Sequence, residues 1–172
     1  MELKELCQKL KELFNMSDIQ ELPSRLFEIV RANDDALYSK FVNLVQDLTI
    51  DWLQMIYQYY FADRKEKMQD YTPKSLAEFM GKLSGQAEMI VDLCAGSGAL
   101  TIQKWAMNHK QRFELYEFDE NVIPFLLFNM AVRNIECTVN HADVLQETMF
   151  NKYVIKKGEQ FGKFEESLRK DR

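Results

Sequence analysis

The chain of 172 residues has no apolar run approaching the roughly 20 residues that a membrane-crossing helix needs. Its opening stretch, MELKELCQKLKELF, carries a charge every few positions, so it lacks the continuous apolar block of a secretory leader. Both absences make the cytoplasm the expected location. Cysteine is scarce: Cys7, Cys94 and Cys137 are odd in number and far apart, which argues against a disulfide framework and gives no metal-ligand spacing. The two histidines, His109 and His141, add no ligand set, and no metal is expected. Positive charge is not in excess either, since 22 Lys and Arg against 27 Asp and Glu leave a net charge of −5. Any contact with nucleic acid would therefore come from a local patch or through a partner chain. What the chain does have is apolar and aromatic content, 47% and 12%. That is enough for one domain with a real core, or one domain with a helical extension.

Two regions differ in texture. Leu3, Leu6, Cys7, Leu10, Leu13 and Phe14 recur at steps of three and four, the stripe of an amphipathic helix, and Ser24 to Arg31 reads as a second. From Leu37 to Tyr59 one face stays apolar through Phe41, Leu44, Val45, Leu48, Trp52, Met55 and Ile56, which predicts a single long helix capped by Asp34 or Asp35. Part of that stripe alternates steps of four and three, a possible seam for a partner helix, although packing on the chain's own core is the plainer expectation. The charged run ADRKEKMQD reads as a solvated loop or helix end.

Beyond it, Thr72-Pro73 supplies a hydroxyl cap and a first-turn proline, and Leu76, Phe79, Met80 and Leu83 are expected to form the buried face of the helix that follows. A short strand Met89 to Leu93, a turn with Gly96 and Gly98, and a helix from about Ala99 to Asn108 come next. A strand Phe113 to Phe118, a helix from about Asn121 to Arg133 and a strand Thr138 to His141 complete the series. Such alternation predicts a right-handed parallel sheet whose ligands sit beyond the carboxyl ends of its strands.

The residues at those ends suggest a ligand. Gly96 and Gly98 lack a Cβ, so the backbone can turn tightly and a ligand can approach the main chain, with amides of the following helix pointing at it. A Gly-x-Gly alone also fits a tight turn with no ligand. Asp92 can accept from a cationic or amide donor. About twenty residues after the glycines, Glu117 stands where an acid can take both hydroxyls of a ribose. Phe118 offers an apolar face to a purine, and Asp143 in HADVL can accept from an exocyclic amine. A nucleoside with a charged, non-phosphate tail fits this set. A dinucleotide fits less well, because its third glycine is Thr101 here and a pyrophosphate would meet Asp92. Cys94, inside the loop, reads as a small space-filler, and Trp105, Phe125, Leu126 and Phe128 as helix faces packed on the sheet.

QDYTPKSLAEFM, DLCAGSGALTI, YEFDENVIPFLLFNMAVRN and HADVL, in this order, resemble the S-adenosylmethionine-dependent DNA adenine methyltransferases, especially the modification subunits of type I restriction systems and related N-6 DNA methylases. The resemblance spans roughly residues 69 to 145. It implies an α/β fold: a helical N-terminal region over 1–66, a partial Rossmann-like S-adenosylmethionine-binding domain of three parallel strands over 67–150, and a polar tail over 151–172. It also implies roles. Thr72 would help hold the methionine carboxylate of the cofactor, Asp92, Gly96 and Gly98 its methionine part, Glu117 the ribose, Phe118 the adenine face and Asp143 the adenine amine.

One part of the pattern is missing. The family holds its target adenine with Asn/Asp-Pro-Pro-Tyr/Phe after a fourth strand, an adenine that must first be flipped from the duplex. The only prolines here are Pro23, Pro73 and Pro124, and no two are adjacent. The tail QETMFNKYVIKKGEQFGKFEESLRKDR has room for a short helix and a charged extension, with no catalytic acceptor residue to name. The resemblance therefore implies a cofactor half that reaches DNA through another chain or is the N-terminal piece of an interrupted gene, or else a non-catalytic module acting through its helices. An active enzyme with an unfamiliar acceptor site is a third possibility. A first or third strand left at a sheet edge would need cover, so association with a second copy or a partner subunit is expected.

Overall fold

The computed structural model describes residues 1–62, 72–85 and 87–166. Four helices come first: α1 (Leu3–Phe14), α2 (Leu22–Ala32), α3 (Asp35–Val45) and α4 (Trp52–Tyr60). The first two end on asparagines in the left-handed conformation, Asn15 and Asn33, whose amides return to carbonyls of the last turn. Asp34 caps α3 as expected, accepting from the Leu37 amide at 3.0 Å.

The single helix expected over Leu37 to Tyr59 is two. Gln46 takes a positive φ of 60°, Asp47 accepts from both the amide and the hydroxyl of Thr49, and the Trp52 indole donates to the Asp47 carbonyl at 2.7 Å. Asp51 then restarts the helix by accepting from the Gln54 amide at 3.0 Å. The stripe runs across the break because both helices face one core, burying Phe41, Val45, Leu53 and Ile56. A periodicity that keeps its face cannot reveal an interruption between two helices sharing that face.

The helix after Thr72-Pro73, α5 (Lys74–Leu83), also departs from expectation. It starts at Lys74 with no side-chain cap, so the Thr72 hydroxyl does not close it. Leu76, Phe79, Met80 and Leu83 are exposed, and the buried residues are Ala77 and Gly81. The helix packs by its small side: a Cβ at Gly81 would lie 3.1 Å from Met107 Cε. This close approach lets the buried Lys104 ammonium donate to the Gly81 carbonyl at 3.0 Å and to the Gly85 carbonyl.

The sheet begins with β1 (Met89–Asp92), α6 (Ala99–Met107), β2 (Arg112–Glu117), α7 (Ile123–Val132) and β3 (Cys137–Asp143). These three strands are parallel and adjacent in chain order, so right-handed crossovers set α6 and α7 on one face. Over its described residues, 151–166, the tail is neither helix nor bare extension. It forms β4 (Thr148–Lys156) and β5 (Lys163–Glu166), an antiparallel pair laid against β3. Within it Ile155, Phe161 and Phe164 are buried while Lys152, Lys156 and Lys157 stay exposed. The result is a mixed five-stranded sheet in the order β1-β2-β3-β4-β5, with β3 internal and β1 at an edge.

α7 joins everything. Phe125 through Met130 are buried on every side of the helix, the mark of a helix enclosed between layers. The Phe128 ring meets Phe14 at 5.8 Å, Tyr38 at 5.4 Å and Phe41 at 5.0 Å between centroids. The N-terminal helices and the sheet therefore share one apolar core. The expected boundary near residue 66 lies outside the described residues.

Candidate functional site

The loop leaving β1 folds across the end of β2. The Ala95 amide donates to the Tyr116 carbonyl at 2.9 Å, and the Gly96 amide donates to Glu117 Oε2 at 2.8 Å. Gly96 and Gly98 have φ of 56° and 101°, values that glycine alone adopts freely. Gly98 also has a packing role the sequence did not reveal: a Cβ there would lie 2.7 Å from Met130 Cε and 3.1 Å from Leu126 Cδ1, on α7. Gly98→Ala is expected to cost roughly 2–3 kcal/mol in a urea unfolding titration, from backbone strain and crowding together. A loss below about 0.5 kcal/mol, the level of an ordinary surface change, would contradict this.

Glu117 is engaged but not saturated. Its Oε1 accepts from the Asp119 amide at 2.8 Å and its Oε2 from Gly96. A carboxylate has about four lone-pair positions, so two remain for incoming donors. Burial pushes its pKa above the ordinary 4.5, with the two amide bonds opposing the rise. Asp92 is similar: it accepts from the Cys94 amide at 3.2 Å, and burial raises its pKa above 3.8. Both carboxylates are poorly solvated, which favours a ligand bringing cationic charge or hydroxyl donors.

The neighbouring strand ends complete the rim. Phe118 is 57% exposed, and its carbonyl lies 3.1 Å from His141 Nε2. The His141 ring is 4.8 Å from that of Phe150. Asp143 Oδ1 accepts from the amides of Leu145 and Gln146, both at 3.0 Å, and the Leu145 side chain is almost wholly in solvent. Strand register sets Asp92 beside Leu115 and Glu117 beside His141, so Asp92, Glu117, Phe118 and Asp143 gather at one end of the parallel strands. Thr72 is tied in more distantly: its carbonyl accepts from the Gln54 side chain at 3.3 Å.

Beneath the loop lies a network that sequence reasoning missed. The buried Asp51 carboxylate accepts from the Ser97 hydroxyl at 2.6 Å and from Asn129 Nδ2 at 2.9 Å. Asn129 Nδ2 donates to the Ser97 carbonyl as well, at 2.9 Å. Arg133 donates to Asn129 Oδ1 at 2.8 Å, to the Leu48 carbonyl at 2.7 Å and to the Ile50 carbonyl at 2.8 Å. Burial raises the Asp51 pKa, with nearby Arg133 opposing it, and burial pushes the Arg133 pKa down to about 10. Ser97, between the two glycines, is thus anchored from the α3–α4 connection and from α7. A signal existed: Asn129 and Arg133 are one helical turn apart, and the rest of IPFLLFNMAV is apolar. Asp119 is held in the same manner, accepting from the Tyr57 hydroxyl at 2.6 Å.

Among the described residues no group of three or more His, Cys, Asp or Glu side chains could hold a metal ion, and no helix is long and apolar enough to cross a membrane. No curated protein and no solved structure matches the chain. The N-6 DNA methylase family does match, over residues 48–163. That stretch starts at the α3–α4 connection that supplies Asp51, takes in the glycine loop and all three parallel strand ends, and runs to the start of β5. Two thirds of the sequence therefore carries the family's pattern, and the chain belongs to the N-6 DNA methylase family.

Proposed function

We propose that the glycine loop and the carboxyl ends of β1, β2 and β3 bind S-adenosylmethionine, and that the chain is the cofactor-binding part of a DNA adenine-N6 methyltransferase. The observation that carries this reading is Glu117. Two backbone amides fix its carboxylate beside the glycine loop, and the lone pairs they leave suit a vicinal diol. Phe118 presents an exposed ring next to it, and Asp143 is oriented by two amides at the next strand end. Asp92, desolvated at the mouth of the loop, suits the cationic end of the ligand. These acceptors and the exposed ring thus suit the nucleoside. When bound, the cofactor would supply an electrophilic methyl group on a sulfonium, and these residues would hold and orient it.

Transfer needs an acceptor positioned against that methyl group. The 172 residues hold no adjacent prolines and so no Asn-Pro-Pro-Tyr motif, so the DNA base would be presented by residues outside them. A calorimetric titration with S-adenosylmethionine tests the binding. Saturable one-to-one binding is expected for the wild type, and at least about tenfold weaker binding for Phe118→Ala, whose exposed ring is not needed by the core. Methylation of duplex DNA by the chain alone would contradict the division of labour. The second reading, a binding module acting through its helices, would be favoured by unchanged behaviour toward partners once cofactor binding is abolished.

The raised pKa values of Asp92 and Glu117 give the binding a pH dependence. Protonation removes the negative charge that a cationic ligand meets, and each group takes up its proton at a higher pH than an ordinary carboxyl of its kind because burial disfavours the ionised form. Affinity for S-adenosylmethionine is expected to fall as pH is lowered, and Glu117→Gln is expected to flatten that fall. An affinity whose pH profile is the same in wild type and Glu117→Gln would contradict it.

A further inference from the structure

The connection between α3 and α4, residues 46–51, is gripped from four parts of the layer that carries the site. Arg133, at the end of α7, donates to the Leu48 and Ile50 carbonyls, and Gln103 on α6 donates to the Thr49 carbonyl between them at 2.6 Å. Lys74, in the first turn of α5, donates to the Thr49 hydroxyl at 3.3 Å. Asp51 takes the hydroxyl of Ser97 from the glycine loop and the side-chain amide of Asn129 from α7. Just beyond, Gln54 has its backbone amide capped by Asp51 and donates from its side chain to the Thr72 carbonyl. The connection is therefore tied both to the loop and to the segment carrying Thr72, the two stretches expected to meet the methionine end of the ligand.

The loop itself holds few means of staying in place. Gly96 and Gly98 both have positive φ, and glycine ranges over many backbone conformations at little cost. Ser97 between them is 1% exposed and is the side chain by which Gly-Ser-Gly is held. Its hydroxyl meets Asp51 and its carbonyl meets Asn129, while the preceding amide, that of Gly96, donates to Glu117. Displacing Ser97 would leave the buried Asp51 carboxylate short of a donor, a loss that a low-dielectric interior penalises far more than the surface does. Loop and connection are thus bound to move together.

We propose that Asp51 and Ser97 are positioning residues for the glycine loop, and that ligand binding at the loop is coupled to ordering of residues 46–51. The contacts run from Arg133 and Asn129 through Asp51 and Ser97 to the Gly96 amide, which sets the Glu117 carboxylate. Coupling of this kind is reciprocal: the factor by which an ordered connection improves ligand affinity is the factor by which ligand favours the ordered connection. The N-terminal helices thereby contribute to affinity through the loop they hold. The positioning role stands for any ligand of the loop, whereas its link to S-adenosylmethionine rests on the binding reading above.

Amide hydrogen exchange on wild type and Ser97→Ala, with and without S-adenosylmethionine, tests it alongside calorimetry. In the ligand-free variant the Gly96 and Gly98 amides, which donate to Glu117 and to the Ala95 carbonyl, should exchange at least about tenfold faster, beyond any common change at β3 and α7. In the wild type, saturating ligand should slow exchange at Gly96 and Gly98 and also at Thr49, Trp52 and Gln54, whose amides bond within the connection. Ser97→Ala should bind the ligand at least about tenfold more weakly. Faster exchange spread evenly over loop, α7 and β3 would be plain loss of stability and would overturn the positioning role. Ligand protection that stops at the loop and leaves residues 49–54 unchanged would overturn the coupling. A wild type that binds no S-adenosylmethionine sinks the binding reading and the coupling with it, and the ligand-free comparison then decides the positioning role by itself. Should Ser97→Ala fail to fold, the wild-type protection pattern decides.

Discussion

Asp51→Ala is expected to destabilise the chain by about 3–5 kcal/mol, among the largest effects of any single substitution, because it removes the only carboxylate hydrogen-bonded within a buried network that contains a cation. Arg133 would remain buried with only the weaker pull of Asp47 on its charge, Ser97 and Asn129 would each lose a partner, and α4 would lose its cap. Urea denaturation with unchanged slope gives the number directly. The variant should also bind S-adenosylmethionine more weakly, since Ser97 sits between Gly96 and Gly98 and the loop is held in place through it. Asp51→Asn keeps the shape but places an amide opposite the Asn129 amide, so an intermediate loss is expected. A loss of under 1 kcal/mol for the alanine variant would mean that the network closes without its carboxylate.

Phe128→Ala should cost a comparable amount, about 3–5 kcal/mol, for a different reason. The ring fills the space where α1, α3 and α7 meet, touching Phe14, Tyr38 and Phe41 edge to face. Removing it leaves a cavity between the N-terminal helices and the layer that carries the glycine loop. We expect one unfolding transition in both wild type and variant, because these elements share a core. Two separated transitions, with Phe128→Ala moving only one, would show that the helical region and the sheet fold independently.

How much of this was legible in the sequence depended on the range of the interaction. The alternation of Met89–Asp92, Arg112–Glu117 and Cys137–Asp143 with two helices could be read because each element carries its own local pattern, and the strand-end residues followed from topology. The break at Gln46 was hidden because both flanking helices face the same core. α5 misled for the opposite reason: its strongest apolar stripe faces outward, and the side that packs is the inconspicuous Ala77 and Gly81. β4 and β5 were obscured by lysines on exposed positions of strands whose buried residues are few, Ile155 and Phe164. The Asp51–Ser97–Asn129–Arg133 network, with the Leu48 carbonyl that Arg133 reaches, joins positions as far as 85 residues apart, and no short motif reports such a contact.

The most direct test of the proposed site is a nitrogen–proton correlation spectrum of the labelled chain during titration with S-adenosylmethionine. The amides of Gly96, Asp119, Leu145 and Gln146, which surround Glu117 and Asp143, should shift together and saturate with one affinity, leaving β5 untouched. Shifts confined to α5 and the outer edge of β1, or none at saturating ligand, would contradict it.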